Sequence, residues 1–278
     1  MDSNLRRSLS RSYQRFVKRG VSGITATSRV LPDFIIIGTV RSGSTSLYYN
    51  ICEHPSVLPA SYDEIGYFDS NYHLGINWYR SMFPTSKKMQ DVRKETGFSI
   101  TGEDTPFYFW KKEAAERIFE MNQNSKILSI FRNPVDRAYS NYNISVIAKT
   151  ENLTFEEAID EEIDFLSKHS FRESVDRRRS YLTKGIYEKQ IQNWLEIFSK
   201  KQIHLLSTEN MNSNPQDTLQ NIFKFLEIPQ YEIKKPQRQK ANEYEKMKSH
   251  TRDRLLDFYK EHNEKFFRII EKKFEWDL

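Results

Sequence analysis

Phe34-Ile35-Ile36-Ile37 is an unbroken apolar, largely β-branched run, the pattern of a short strand buried on both faces of a parallel sheet. Gly38 ends it, the turn Arg41-Ser42-Gly43-Ser44 follows, and Thr45 to Glu53 has helical character closed by His54-Pro55. A buried strand, a Gly/Ser turn and a helix start bring backbone N–H groups and the positive end of a helix dipole to one point, which suits an anion such as phosphate. A plain structural turn would satisfy the same residues, so the rest of the chain has to decide.

A second strand is expected over Lys126 to Phe131, stopped by Arg132-Asn133-Pro134, where Asn133 can cap a helix and Pro134 suits its first turn. That helix is expected to reach about Ala148. Thr154 with Glu157 forms a capping-box pattern ahead of a helix from Phe155 to about Leu166. Helical spacing returns over Tyr187 to Phe198, a third strand is expected over Ile203 to Leu206, and Asn214-Pro215 opens a helix reaching Leu226. A long amphipathic helix, Thr251 to Phe274, closes the chain. Strands alternating with helices predict an α/β fold: a P-loop-like domain with a central, mainly parallel β-sheet flanked by helices. No repeat or low-complexity tract interrupts it, so one domain is expected over residues 32–278, preceded by a basic leader, residues 1–31.

The net charge of +5 would by itself suggest a nucleic-acid or membrane partner. Its distribution argues otherwise. Arg6, Arg7, Arg11, Arg15, Lys18, Arg19 and Arg29 face only Asp2 in the leader, which leaves the body close to neutral. A near-neutral body is a poor match for a face that tracks a phosphate backbone, and no nucleic-acid partner is expected. The leader reads as a solvated tail; its weak stripe of Leu5, Leu9, Tyr13 and Phe16 leaves a targeting or membrane-surface segment as the alternative. No run approaches the roughly 18 apolar residues of a membrane span, so no transmembrane segment is expected. Cys52 is the only cysteine, which rules out an internal disulfide and favours a reducing, cytoplasmic compartment.

Set beside the nucleotide pattern G-x-x-x-x-G-K-[ST], Gly38 to Thr45 keeps both glycines and the final hydroxyl, but Ser44 occupies the lysine slot and the cation has moved to Arg41. An ATP-using enzyme needs that lysine on the β- and γ-phosphates, so the departure counts against phosphoryl transfer while leaving anion binding intact. The form [KR]-[ST]-G-[ST]-[ST] after an apolar strand resembles the 5′-phosphosulfate loop of sulfotransferases that use 3′-phosphoadenosine 5′-phosphosulfate (PAPS). The resemblance implies that Arg41, Ser42, Gly43, Ser44, Thr45 and Ser46 bind this nucleotide, with Arg41 on the bridging and sulfuryl oxygens. Arg132-Asn-Pro-Val-Asp-Arg137-Ala-Tyr-Ser140 is similar to the family's R-[ND]-P-x-x-R-x-x-S, which implies that Arg132 and Ser140 hold the 3′-phosphate. ATP has no phosphate for that second site. Arg137 is either a ligand or one half of a helix-surface salt bridge.

Between these motifs, Tyr62-Asp63-Glu64-Ile65-Gly66-Tyr67-Phe68-Asp69 resembles the segment of heparan sulfate N- and 3-O-sulfotransferases in which an acid within E-x-x-[FY]-F acts as general base. Glu64 takes that position. His73 is the competing base or a structural histidine, and His73, Tyr72 and Glu103 are candidate acceptor contacts. Where relatives read E-K-[ST]-P-x-Y, this chain has Glu103-Asp104-Thr105-Pro106-Phe107-Tyr108, an acid in place of a cation. Lys184-Gly185-Ile186-Tyr187, Trp194 and the closing helix extend the likeness from Pro32 to Trp276, with Lys240-Ala241-Asn242 a weak counterpart of the family's nucleotide-covering loop. The resemblance implies an enzyme that moves the sulfuryl group of PAPS onto a hydroxyl or amine of a carbohydrate-like or other small acceptor, leaves 3′-phosphoadenosine 5′-phosphate (PAP) and needs no metal. A nucleotide or small-molecule kinase and a non-catalytic module for anionic ligands remain as rivals.

Overall fold

A computed structural model describes residues 25–236 and 244–276. Five strands, β1 (Phe34–Gly38), β2 (Val57–Pro59), β3 (Ile100–Asp104), β4 (Lys126–Phe131) and β5 (Ile203–Ser207), form one sheet in the order β2-β3-β1-β4-β5. Every neighbouring pair is parallel. Helices of nine residues or more among the described residues are α1 (Ser44–Cys52), α2 (Ser86–Thr96), α3 (Lys112–Met121), α4 (Pro134–Ile147), α5 (Phe155–Lys168), α6 (Glu188–Ile197), α7 (Pro215–Leu226) and α8 (Ser249–Ile270).

The opening apolar run lies at the centre of this sheet because nothing in it tolerates water: every residue of β1 is buried. Side chains alternate across a strand. Phe34 and Ile36 therefore pack with Leu47 and Ile51 of α1 and Leu219 and Phe223 of α7 on one face. Ile35 and Ile37 pack with Ala114 and Ile118 of α3 and Trp194 of α6 on the other. The chain leaves β1 toward β2 and β3 on one side, then crosses to β4 and β5 on the other, so the strand order reverses between β1 and β4. In open α/β sheets a crevice forms beyond the strand ends at such a reversal.

Local chemistry sets most boundaries. Asn133 caps α4 by accepting the Val135 N–H at 3.0 Å, with Pro134 in the first turn. At α5, Thr154 and Glu157 make the reciprocal capping box. Other elements depart from expectation. β2 is only three residues long, and β3, Ile-Thr-Gly-Glu-Asp, carries two acids where strand propensity opposes them, yet it sits between β2 and β1. The last helix stops at Ile270, because Glu271 turns left-handed at φ 52° and sends Phe274 and Trp276 back into the core. Residues 25–31, placed with the leader by sequence, pack on the body: Val30 and Leu31 cover the core and the Arg29 guanidinium donates to the Phe83 carbonyl at 2.6 Å. The stripe of Leu5, Leu9, Tyr13 and Phe16, and Lys240-Ala241-Asn242, lie outside the described residues. Among the described residues no helix is long and apolar enough to cross a membrane.

Gly102 of β3 is required by a close approach, since a methyl group there would collide with the fully buried Phe34 ring. Gly102→Ala is expected to destabilise the fold by about 1–3 kcal/mol, the usual cost of overpacking a core. A thermal or denaturant melt that left stability unchanged would show that the ring moves aside freely.

Candidate active site

The turn after β1 holds its shape through its own hydroxyls. Thr39 is fully buried, its Oγ1 lies 2.6 Å from Ser42 Oγ, and its N–H donates to the Ile130 carbonyl of β4 at 2.7 Å. Arg41 and Gly43 both take left-handed backbone, at φ 69° and φ 89°. Left-handed residues in such a turn gather successive N–H groups into a concavity that suits an anion. An added methyl at Gly43 would meet nothing within 4 Å, so the turn faces open space there. α1 begins at Ser44, and its N-terminal end faces the same turn.

The second basic motif follows β4, the strand hydrogen-bonded to β1. Arg132 and Ser140 therefore stand beside the Arg41 turn, and Arg41 Nε donates to Ser140 Oγ at 3.2 Å. Burial pulls the Arg41 guanidinium below its ordinary pKa, opposed by Tyr244 and assisted by the positive charges of Arg132 and Arg137. The charges of three arginines thus meet around this turn. Arg137 is no helix-surface residue: it is fully buried, donates through Nη2 to the Tyr181 carbonyl, and leaves Nε and Nη1 without a partner. The buried Glu162 carboxylate and the Tyr259 hydroxyl act on Arg137 from within the fold, and the remaining N–H groups carry a desolvation cost that a further anion would relieve. These groups, with the open turn at Gly43, fit a ligand bearing two separate phosphates.

The acidic segment stands at the end of β3, which flanks β1 on the side opposite β4. Glu64 is exposed, left-handed at φ 52°, and its N–H donates to the Asp104 carbonyl at 2.9 Å, which ties it to the end of β3. Glu103 is inside the fold rather than at an open surface. Its carboxylate accepts from Tyr79 at 2.6 Å, Thr105 at 2.7 Å and Tyr108 at 3.3 Å. Burial pushes its pKa up to about 7 despite those three hydroxyls. Such a residue organises the aromatic cluster and presents nothing to an acceptor. Tyr72 and His73 are both exposed on a short 3-10 turn, where the Arg117 guanidinium covers the Tyr72 ring at 4.1 Å from its centroid.

Several contributors escape a motif reading. Thr208, after β5, donates to the carbonyls of Ser42 (2.7 Å) and Phe131 (3.0 Å), so one hydroxyl pins both turns. Tyr187 donates to the Arg132 carbonyl at 3.0 Å, and Glu209 takes the Asn133 N–H at 3.0 Å and the Trp276 indole N–H at 3.0 Å. Burial first, and then the charge of Arg137, lower the Lys184 pKa to about 8. The sequence offered a signal for Lys184 and Tyr187, in the Lys-Gly-x-Tyr stretch ahead of α6, and for Glu209 only as part of the family likeness after β5. Nothing local marks Thr208, and the contacts that bring Glu209 into the site are likewise invisible locally, because these partners are 67 or more residues away.

A strand-loop-helix anion turn paired with a second basic motif at the adjacent strand end defines an α/β protein with a P-loop-like turn. The sulfotransferase domain model matches residues 31–274, and the chain belongs to that family. It is 24% identical over 319 residues to the membrane-associated sulfotransferase kil1 of Dictyostelium discoideum, covering 88% of this chain and 66% of that protein. Mouse heparan sulfate glucosamine 3-O-sulfotransferase 5 is 34% identical over 202 residues, covering 72% of this chain and 54% of that enzyme. The chain thus spans slightly under two thirds of the first of these relatives and about half of the second. In structure it is similar to a sulfotransferase from Alicyclobacillus acidocaldarius, with a TM-score of 0.68 at 22% identity over 88% of this chain and 98% of that one.

Proposed function

We propose that this domain transfers the sulfuryl group of PAPS to a hydroxyl or amine of a carbohydrate-like acceptor. One observation carries the reading: the Arg41 turn and the Arg132–Ser140 motif meet, with Arg41 Nε on Ser140 Oγ at 3.2 Å, so a single small molecule can touch both. PAPS, when bound, supplies the sulfuryl group and a 5′-phosphate able to leave. Arg132 and Ser140 grip its 3′-phosphate. Glu64 takes the acceptor proton as the acceptor oxygen or nitrogen attacks sulfur and the sulfur–oxygen bond to the 5′-phosphate breaks. Arg41 and the N–H groups of residues 42–46 hold the charge that collects on that phosphate.

The family and its heparan-modifying members support a saccharide acceptor. The single cysteine supports a reducing, cytoplasmic setting, while the membrane association of the amoebal relative belongs to that protein. Tyr72 and His73, exposed beside the acidic segment, are proposed acceptor contacts. Incubating the chain with sulfur-labelled PAPS and a panel of neutral, amino and anionic saccharides alongside phenols tests the proposal. Label is expected on a saccharide, and none on any acceptor despite PAP binding would leave a binding module instead. With magnesium and ATP no phosphoryl transfer is expected, because Ser44 stands where the nucleotide pattern has lysine.

A further inference from the structure

Asp104 is buried at the strand end that feeds the anion turn. It is fully buried, neither carboxylate oxygen makes a well-formed hydrogen bond, and the Thr45 hydroxyl is the donor that acts on it. In β3 it pairs with Ile36 of β1, two residues before Gly38, so it lies at the strand end that feeds the turn. Alternation along β3 sends Glu103 toward the tyrosines and Asp104 toward α1. On that face it meets Thr45 in the first turn of α1, with Tyr48 and Cys52 beyond. Asp63, Glu64 and Glu103 surround it with like charge. The four acids are not a metal centre: among the described residues no group of acids, histidines or cysteines is arranged to hold a metal ion.

Among the described residues an ionised carboxylate in that position has no ion-pair partner and only the Thr45 hydroxyl to offset its burial, so the neutral acid is the form the fold accommodates. Burial is the main cause, the charges of Asp63, Glu103 and Glu64 add to it, and the Thr45 hydroxyl opposes them, which together push the pKa up to about 8. Asp104 therefore keeps its proton at neutral pH and gives it to solvent as the pH rises past 8. Thr45 is the link to the ligand, being part of the proposed 5′-phosphosulfate turn.

We propose that Asp104 is a positioning residue of the nucleotide site, acting through Thr45: its neutral carboxyl keeps the floor of the 5′-phosphosulfate turn free of negative charge, and its ionisation weakens nucleotide binding. The inference rests on the turn being the PAPS site. It assigns a role to an acid standing where heparan-type relatives carry lysine, without requiring Asp104 to touch the acceptor.

The test is calorimetric titration of the full chain with PAP between pH 6.5 and pH 9.5, for the wild type, Asp104→Asn and Asp104→Ser. The wild type is expected to lose about tenfold in affinity across pH 8, the size of one strong charge coupling. In assays the loss appears in the PAPS KM and not in kcat. Both variants lack the titrating proton and are expected to lose clearly less. Glu103 and Lys184 also titrate in this range, near 7 and near 8, but both are present in all three proteins, so the difference between profiles belongs to Asp104. Binding with parallel profiles in all three would overturn the role of Asp104 alone. No PAP binding by the wild type at any pH would overturn the PAPS-site reading and this inference with it. Thermal melts of each variant establish that the comparison is between folded proteins, and the serine variant serves if asparagine does not fold.

Discussion

Glu64→Gln is expected to lower turnover by about 100-fold or more while leaving PAP affinity nearly unchanged, the loss typical of a missing general base. Gln preserves the shape of the side chain and accepts hydrogen bonds, but it cannot take up a proton. The backbone at 64 is held independently, through the N–H to the Asp104 carbonyl at 2.9 Å, and its left-handed φ of 52° strains Glu and Gln alike. A fall in kcat therefore reports chemistry rather than a moved loop. Initial rates with labelled PAPS and a calorimetric Kd for PAP separate the two quantities. Turnover that survives the change would remove Glu64 as the base and bring forward His73, exposed on the neighbouring turn.

Arg132→Ala is expected to act on the other quantity, weakening PAP by about 1.5–3 kcal/mol, roughly 10- to 150-fold, for one lost charged hydrogen bond. The substitution is clean because main-chain contacts fix this corner. Tyr187 holds the Arg132 carbonyl and Glu209 holds the Asn133 N–H, so truncating the side chain leaves β4 and α4 where they are. Removing one of three neighbouring guanidinium groups also relieves their mutual repulsion, so the melting temperature is expected to hold or rise. An unchanged Kd would mean that Arg132 does not touch the nucleotide. A drop in melting temperature with the Kd change would mean that it also supports the fold.

The acceptor side follows a different logic from the nucleotide side. Arginines gather where phosphates are proposed to sit, whereas Asp63 and Glu64 lie around the end of β3, across β1 from β4. Anions therefore have a defined place in the crevice, and a polyanionic acceptor would have to approach past acids. The panel of neutral, amino and anionic saccharides tests this asymmetry directly.

The sequence alone determined the elements that local chemistry specifies. A fully apolar run must be buried on both faces, Asn133-Pro134 and Thr154 with Glu157 satisfy helix-start N–H groups within a few residues, and the two phosphate-type motifs announce themselves in short windows. Only the tertiary structure decided what depends on partners distant in the chain. β3 is a strand because β1 and β2 pair with it, although Glu103 and Asp104 argue against one, and Arg137 is buried because α4 packs inward. Thr208 and Glu209 join the site from beyond β5, and Asp104 is buried among Asp63, Glu64 and Glu103 because β3 enters the sheet beside β1. The physical reason is common to all four: a helix cap or a capping box is settled by neighbours in sequence, whereas strand pairing, long-range hydrogen bonds, desolvation and charge coupling depend on everything the fold brings within a few ångströms.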